Sequence, residues 1–467
     1  MACTSRFTCS LALVALGFAG ANAAEGRPPN IVHIIADDLG WNDVGFHGSE
    51  IETPALDRLA AESMVLNRFY VTPICSPTRA GVLAGRYPFR FGIWGGVVSP
   101  QKRHGLPPRE VTTPEWLEPV GYRHRGLLGK WHLGLSSTRF HPLRHGFTEF
   151  YGHYNGAIDY FTRERHGQLD WHRGYASAYE EGYSTDLLGE EAVRFIERNG
   201  ADGPFYLFVA FNAPHSPIQA TGSDLAANGF DADGPRAANT DAGVARREGA
   251  PGYGERGKGN TVRQTFAAMT MAMDRNVGRI LDALKAEGLF DDTLVIFHSD
   301  NGGTPKHGGN NRPLRGNKHT TWEGGVRVVA LLRYPDRLPA GAYDGLTCYL
   351  DLLPTLSAAA GAPDPQGVDG INMMPFLESA TLPPDRRLIL GRDAVVSQRW
   401  KLVRGELFDL NSDPGEKRDL AKQHPEIVAR LQAELERFDT LAGDPSESAL
   451  PTPDVWPPVE WRLPEEP

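Results

Sequence analysis

The sequence predicts an α/β protein: a doubly wound sheet domain followed by a smaller C-terminal α+β domain. Three observations carry that reading. First, three near-continuous apolar, β-branched runs each end in polar residues: NIVHIIADD, PFYLFVAFNAPH and TLVIFHSDNGG. Strands apolar on both faces belong to a parallel sheet covered on both sides. Second, helix-period segments lie between these runs, and alternating strand and helix defines the doubly wound class. Third, ligands in such sheets bind beyond the carboxyl ends of the strands. Asp37 and Asp38, His215, and Asp300 with Asn301 all fall at such ends, so they are expected to share one site.

Taken in order, residues 1–24 read as a signal peptide. Arg6 precedes an apolar run from Leu11 to Ala19, followed by the small residues ANAA. That run is too short to span a bilayer, and no later segment is apolar enough to do so. The expected location is therefore secreted or periplasmic. A catalytic domain is expected over 25–375. In it, TPALDRLAAESMVL has Thr53 as N-cap and Pro54 at the first helical position. In CSPTRAG, Ser76 fits an N-cap and Pro77 a first turn. Further helices are expected from Ser184 to a stop at Gly200, and from Thr261 to Glu287 with Gly288 as cap. Residues 220–260, rich in Gly, Ala and Asp without a period, read as a lid or loop. The segment 361–386 reads as a crossing to a small domain, 376–445. There LILGRD, WKLVRG and ELFDL precede a helix from Pro425 to Phe438. Residues 446–467 form a Pro-rich tail.

A formal net charge of −10 on 467 residues argues against a nucleic-acid groove, which needs a basic field. With the signal peptide removed, Cys75 and Cys348 remain, so no disulfide framework is expected. Cys348 lies in an apolar run and reads as a small buried hydrophobe. Cys75 is the odd one.

The hard oxygen ligands Asp37, Asp38, Asp300 and Asn301 suit Ca²⁺ or Mg²⁺. A helix opening at CSPTR aims free N–H groups and its positive end toward residue 75, and Arg79 adds a fixed cation one turn on. Cys75 is thus expected to face an oxyanion beside a divalent cation. A plain thiolate nucleophile is an alternative at this point.

CSPTRA followed by LAGR resembles the signature of the formylglycine-dependent sulfatases, in which this cysteine is oxidised to Cα-formylglycine. GKWHLG (129–134), NAPHSP (212–217), SDNGG (299–303) and PLRGNKHTTWEGGVRV (313–328) follow in the family's order. ELFDLNSDPGEKRDL is similar to its small domain. The resemblance implies an alkaline-phosphatase-like fold and one Ca²⁺ ion held by Asp37, Asp38, Asp300 and Asn301, with modified Cys75 as a further ligand. It gives Arg79 and Lys130 the sulfate oxygens, His132 a proton at the breakdown step, and His215 and Lys318 the leaving oxygen. It further implies a sulfated saccharide substrate and a formylglycine-generating enzyme or anaerobic maturase as partner. HGFTEFYGHYNGAIDYFTRERH and GGNNRPLRG look like the arylsulfatase B branch, the N-acetylgalactosamine-4-sulfatases. His124 stands where the family usually has Ser or Thr. Asp159, His104, His307 and Arg315 are candidate substrate contacts, with Arg163, His166, Tyr154 and Tyr160 as further sugar contacts. Two rival readings are a phosphomonoester or phosphonate hydrolase, and a non-catalytic sulfoglycan-binding protein with Cys75 unmodified.

Overall fold

The structure is a computed structural model describing residues 27–99, 102–165, 167–233 and 260–443. The expected signal peptide, residues 234–259 of the insert and the Pro-rich tail lie outside the described residues.

Five parallel strands form the centre of a ten-stranded sheet, in the order Thr293–Ser299, Asn30–Ala36, Phe205–Ala210, His124–Lys130 and Glu149–His153. Three of them are the apolar runs read above. The fourth, HRGLLGK, carries too few β-branched residues to stand out. The flanks are not parallel throughout: Ala330–Arg333 and His172–Arg173 pair antiparallel to their neighbours.

Alternate residues of each strand enter opposite cores. Ile31 and Ile35 pack on one face with Val82 and Leu83 of the helix Cys75–Ala84. Val32 and Ile34 pack on the other with Phe195 and Met273, from the helices Ser184–Asn199 and Val262–Ala286. Both faces are covered, as continuous apolar strands require.

Helix starts follow the sequence apart from Thr53 and Ser76, whereas two ends differ: TPALDRLAAESMVL is helical only over Pro54–Ala61, with Met64–Leu66 a strand, and the Pro425 helix runs on to Leu441 rather than stopping at Phe438. Thr261 and Gln264 cap the Val262 helix reciprocally. Thr53 precedes its helix, yet its hydroxyl accepts from the Gly45 N–H at 2.8 Å and donates to Asp57. Ser76 is not an N-cap. The helix opens at Cys75 after an extended Ile74, and the Ser76 hydroxyl donates to the His132 carbonyl at 2.9 Å.

The C-terminal sheet is antiparallel with four strands: Leu388–Gly391, Ala394–Val396, Trp400–Val403 and Glu406–Asp409. The helix Pro425–Leu441 packs on it, and a short helix, Met374–Glu378, spans position 375. Among the described residues no helix is long and apolar enough to cross a membrane.

A buried ion cluster ties the C-terminal sheet to the larger domain, at the short helix Glu323–Val326. Lys401 Nζ lies 2.8 Å from Glu323 Oε1 and 2.9 Å from Glu416 Oε1, and all three side chains are fully buried. Glu323 also accepts from the Tyr70 hydroxyl at 2.9 Å. Removing one member of a buried cluster strands the others, at about 3–5 kcal/mol. Lys401→Met is therefore expected to lower the thermal unfolding midpoint sharply. A midpoint unchanged from wild type in calorimetry would show that the cluster does not hold the joint.

Candidate active site

The sheet brings the sequence-predicted groups together at its carboxyl end. Asp37 and Asp38 follow Asn30–Ala36, Asp300 and Asn301 follow Thr293–Ser299, and Lys130 ends His124–Lys130. Cys75 opens its helix. Arg79, one turn later, donates to Asp300 Oδ2 from Nε at 3.1 Å and from Nη2 at 2.9 Å, and to the Lys130 carbonyl at 3.0 Å. Lys130 Nζ pairs with Asp37. Lys318 Nζ lies 2.6 Å from Asp38 Oδ1, which also accepts from Asn301 Nδ2 at 2.7 Å.

Local backbone serves this convergence. Gly129 has φ +106°, and a Cβ there would sit 2.0 Å from the Ala210 carbonyl, so Lys130 can follow only a glycine at this strand crossing. Gly156 leaves room for the His132 ring, which a Cβ would meet at 2.4 Å. Asp38 and His132 have φ values of 64° and 59°. Non-glycine residues in this region cost of order 1 kcal/mol or more and persist where surroundings over-determine them.

Cys75 is 1% exposed, and its Sγ lies 3.3 Å from His132 Nδ1. Burial pushes the thiol up, against the pull of Lys130 and Lys318. Burial, with Lys130 and Arg79 adding to it, holds His132 well below the ordinary imidazole range, so the ring is neutral. His215 is lowered to about 4, chiefly by burial. Its Nδ1 bonds the Ser216 carbonyl, and Nε2 lies 3.6 Å from Asp38 Oδ2. Burial and the Asp37 charge raise Asp300 to about 7. Lys318 is held cationic by Asp38 against burial.

The acidic group fits a hard cation. Asp37 Oδ1 and Asn301 Oδ1 are buried oxygens with no hydrogen-bond partner. Asp37, Asp38 and His215 present ligand atoms within 4.8 Å of one another. Oxygen donors of this kind are what Ca²⁺ takes.

A cleft of about 550 Å³ opens on this group. Asp38, His215, Ser216, Thr304, Lys318 and His319 line it, together with 305–307 and Asn317. His307 is thus where the sequence reading expected it. His319 was missed. It stands in a quoted motif, yet its only signal is a left-handed backbone, φ 70°, which sequence does not display.

The other candidate sugar contacts are engaged elsewhere. Asp159 is 3% exposed. It accepts from the Phe161 and Thr162 N–H groups and from Gln219 Nε2, at 2.9, 2.8 and 2.7 Å. Arg163 donates to the carbonyls of Phe161, Glu180 and Gly182. Tyr154 is fully buried among Phe150, His141 and His172. The Tyr160 hydroxyl lies 2.7 Å from the carbonyls of Asn212 and His215, so it positions the His215 loop. Arg315 stacks on Trp322 at 3.5 Å and reaches Glu406 and the Glu416 carbonyl, holding the small domain. His104 is half-buried and does not line the cleft. His166 lies outside the described residues. His124 pairs with Asp202 at the opposite end of its strand from Lys130.

Paired acids and cations around a buried cysteine, at the carboxyl ends of a parallel sheet, mark a ligand site of the kind α/β enzymes carry, and comparison says which enzymes. The profile of the family described as Sulfatase matches residues 29–362. The chain is 34% identical to arylsulfatase A of Homo sapiens, over 88% of this chain and 88% of that one. It is also 34% identical to the N-acetylgalactosamine-6-sulfatase of Mus musculus, over 80% of this chain and 71% of the relative. The crystal structure of Ps i-CgsB superposes with a TM-score of 0.78 at 33% identity, covering 90% of this chain and 94% of that one. A complex of Ps i-CgsB with k-i-k-neocarrahexaose superposes at 0.77. The chain belongs to the sulfatase family. It is a sulfuric ester hydrolase of alkaline-phosphatase-like fold.

Asp159 separates a structural from a substrate-binding role. Asp159→Ala leaves two loop N–H groups and Gln219 without their acceptor, at about 1–3 kcal/mol. The expected outcome is a lower thermal midpoint with KM for a sulfate ester unchanged. A KM rise at unchanged stability, read by steady-state kinetics beside calorimetry, would return Asp159 to the substrate.

Proposed function

We propose that this sulfatase releases sulfate from a galactosamine or galactose unit of a sulfated glycan, using formylglycine made from Cys75 and one bound Ca²⁺. The observation that carries the reading is the 3.3 Å approach of Cys75 Sγ to His132 Nδ1, within a network that holds Asp37, Asp38 and Asp300 against Arg79, Lys130 and Lys318. Asp37, Asp38, Asp300, Asn301 and residue 75 would hold the cation. When bound, Ca²⁺ supplies charge that offsets the sulfate oxygens and favours the ionised form of an attacking hydroxyl. Formylglycine, as its hydrate, supplies that hydroxyl and a second one that expels sulfate without attack of water at sulfur.

The chain's own groups do the rest. Arg79 and Lys130 are fixed cations that stabilise charge growing on the equatorial sulfate oxygens. Both are already oriented by Asp300 and Asp37, so little reorganisation is needed. His132, kept neutral by burial and two neighbouring cations, takes a proton from the group at position 75. Lys318 stays charged beside Asp38 and donates to the leaving oxygen. The Ser216 carbonyl keeps the proton of a neutral His215 on Nδ1. Nε2 therefore faces the cleft as an acceptor, and it becomes a donor only when the ring is charged.

Relatives named for N-acetylgalactosamine and a relative's complex with k-i-k-neocarrahexaose support the sugar. Asp159, Arg163, Tyr154 and Tyr160, read as sugar contacts, are engaged within the protein, and named relatives are 6-sulfatases, so the assay compares sulfate at C4 and C6. Export and maturation by a formylglycine-generating enzyme or anaerobic maturase complete the proposal, since the modification must precede turnover.

The test is sulfate release from galactosamine and galactose saccharides sulfated at C4 or at C6, beside N-sulfated glucosamine. Release from a galactose-type sugar is expected, falling at least about 10³-fold in Cys75→Ala and lost on chelation until Ca²⁺ is restored. The peptide containing Cys75 should carry the aldehyde rather than the thiol by mass. Full activity in Cys75→Ala would overturn the mechanism. Preference for the glucosamine compound would overturn the sugar.

A further inference from the structure

A second cavity adjoins the catalytic cleft. It measures about 580 Å³, is lined by Thr261, Arg263, Asn310 and Arg312 among others, and shares Pro305 with the cleft. Each cavity has an exposed cation on its wall, Lys306 in the cleft and Arg312 in the second cavity. Neither side chain has an ion pair or hydrogen bond among the described residues. Arg263 contrasts with them: its guanidinium is held by Asp43, Glu50 and the Gly308 carbonyl, so its charge is spent inside the protein.

The backbone carrying the two free cations is fixed. His307 and Gly309 N–H groups donate to the Thr304 carbonyl at 2.9 and 3.1 Å, and Gly308 N–H to the Pro305 carbonyl at 3.1 Å. Asn310 N–H is held by both Asp43 carboxylate oxygens at 3.1 and 3.0 Å. Asn311 exchanges side-chain hydrogen bonds with Gly303 at 2.8 and 2.9 Å. The loop from 304 to 313 is therefore a rigid mount that presents a cation to each of two neighbouring cavities. A chain of net charge −10 repels a polyanion at long range, so attraction has to be supplied locally, at the mouth.

We propose that Arg312, on the wall of the second cavity, forms a second anion subsite for another sulfate group on a neighbouring sugar. The preferred substrate is then an oligosaccharide sulfated on adjacent residues. The proposal rests on the sulfatase reading and extends it to the length and charge of the substrate. A guanidinium suits this task because its planar fork can grip two oxygens of one sulfate. The scissile sulfate enters the cleft at His215 and Lys318, and the second one lies over the loop.

The experiment compares a small monosulfated aryl ester with a disaccharide sulfated on both sugars, in wild type, Arg312→Ala and Arg312→Lys. Arg312→Ala is expected to raise KM for the disulfated compound about tenfold at little changed kcat, with aryl sulfate kinetics unchanged. Arg312→Lys should recover part of the loss. Added salt should raise KM for the disulfated compound more steeply in wild type than in Arg312→Ala. An unchanged KM for the disulfated compound, or an equal rise for both substrates, overturns the subsite while leaving the sulfatase reading in place. Failure of the wild type to release sulfate from either compound overturns both.

Discussion

Three carboxylates and three cations share one buried volume at the foot of the cleft: Asp37, Asp38 and Asp300 against Arg79, Lys130 and Lys318, each at most 6% exposed. Burying any one alone would cost several kcal/mol, so the six must arrive together, and they arrive from separate elements. Two strand ends supply the acids, a third strand end supplies Lys130, the Cys75 helix supplies Arg79, and the loop after Gly316 supplies Lys318. Parallel strands present their carboxyl ends at one edge, and these three lie within four consecutive strands of the sheet. The sheet order, the glycine at 129 and the left-handed turns at 38 and 132 all serve that requirement. Compensation is still incomplete, because Asp300 sits near 7 and two buried oxygens have no partner. That residual field is what a divalent cation would satisfy.

How much of this was legible depends on what kind of information a residue carries. Apolar runs ending in Asp or His announce strand ends, because burial on both faces forces composition. His124–Lys130 was less visible because glycines replace side chains where strand and helix approach closely. Ser76 has the propensity of a cap, but the helix opens one residue earlier, and its hydroxyl accepts from the Val98 N–H and donates to the His132 carbonyl. Asp159 and Arg315 looked like substrate contacts because polar residues near motifs usually face solvent. Asp159 instead satisfies loop N–H groups, and Arg315 lies flat on Trp322. Neither outcome can be read without tertiary partners. His319 shows the converse: its place on the cleft comes from a backbone conformation with no compositional mark.

The small domain is wired to the chemistry rather than appended to it. Lys401 from its sheet neutralises Glu323, and Glu323 holds the Tyr70 hydroxyl. Tyr70 lies five residues before Cys75, so the approach to Cys75 is pinned by a contact that reaches across to the small domain. On the far side of the same helix, Gly81 lies against Tyr349, where a Cβ would come within 2.0 Å of the ring. Contacts to the segment before the Cys75 helix and to the helix itself fix its position, which a preorganised site needs.

The buried and exposed parts of the site therefore answer to different constraints. Cys75, Arg79, Lys130 and His132 are closed off, with Arg79 and Lys130 held by Asp300 and Asp37 and His132 beside Cys75. Motifs built on so tightly coupled a group identify a family well and a sugar poorly. His215, at 13% side-chain exposure, is the point where the closed interior meets the cleft. Beyond it the wall is built from loops at 215–216, 304–307 and 317–319. His215, Thr304 and Lys318 in these loops are tied to the buried Asp38, whereas Lys306 and His319 stand exposed on backbones held by the network beneath. Selectivity in this protein must then come from a few exposed side chains on rigid mounts, each contributing a directed contact rather than shaping a closed pocket. Such contacts act on substrate affinity, since they lie outside the volume where charge moves during the reaction.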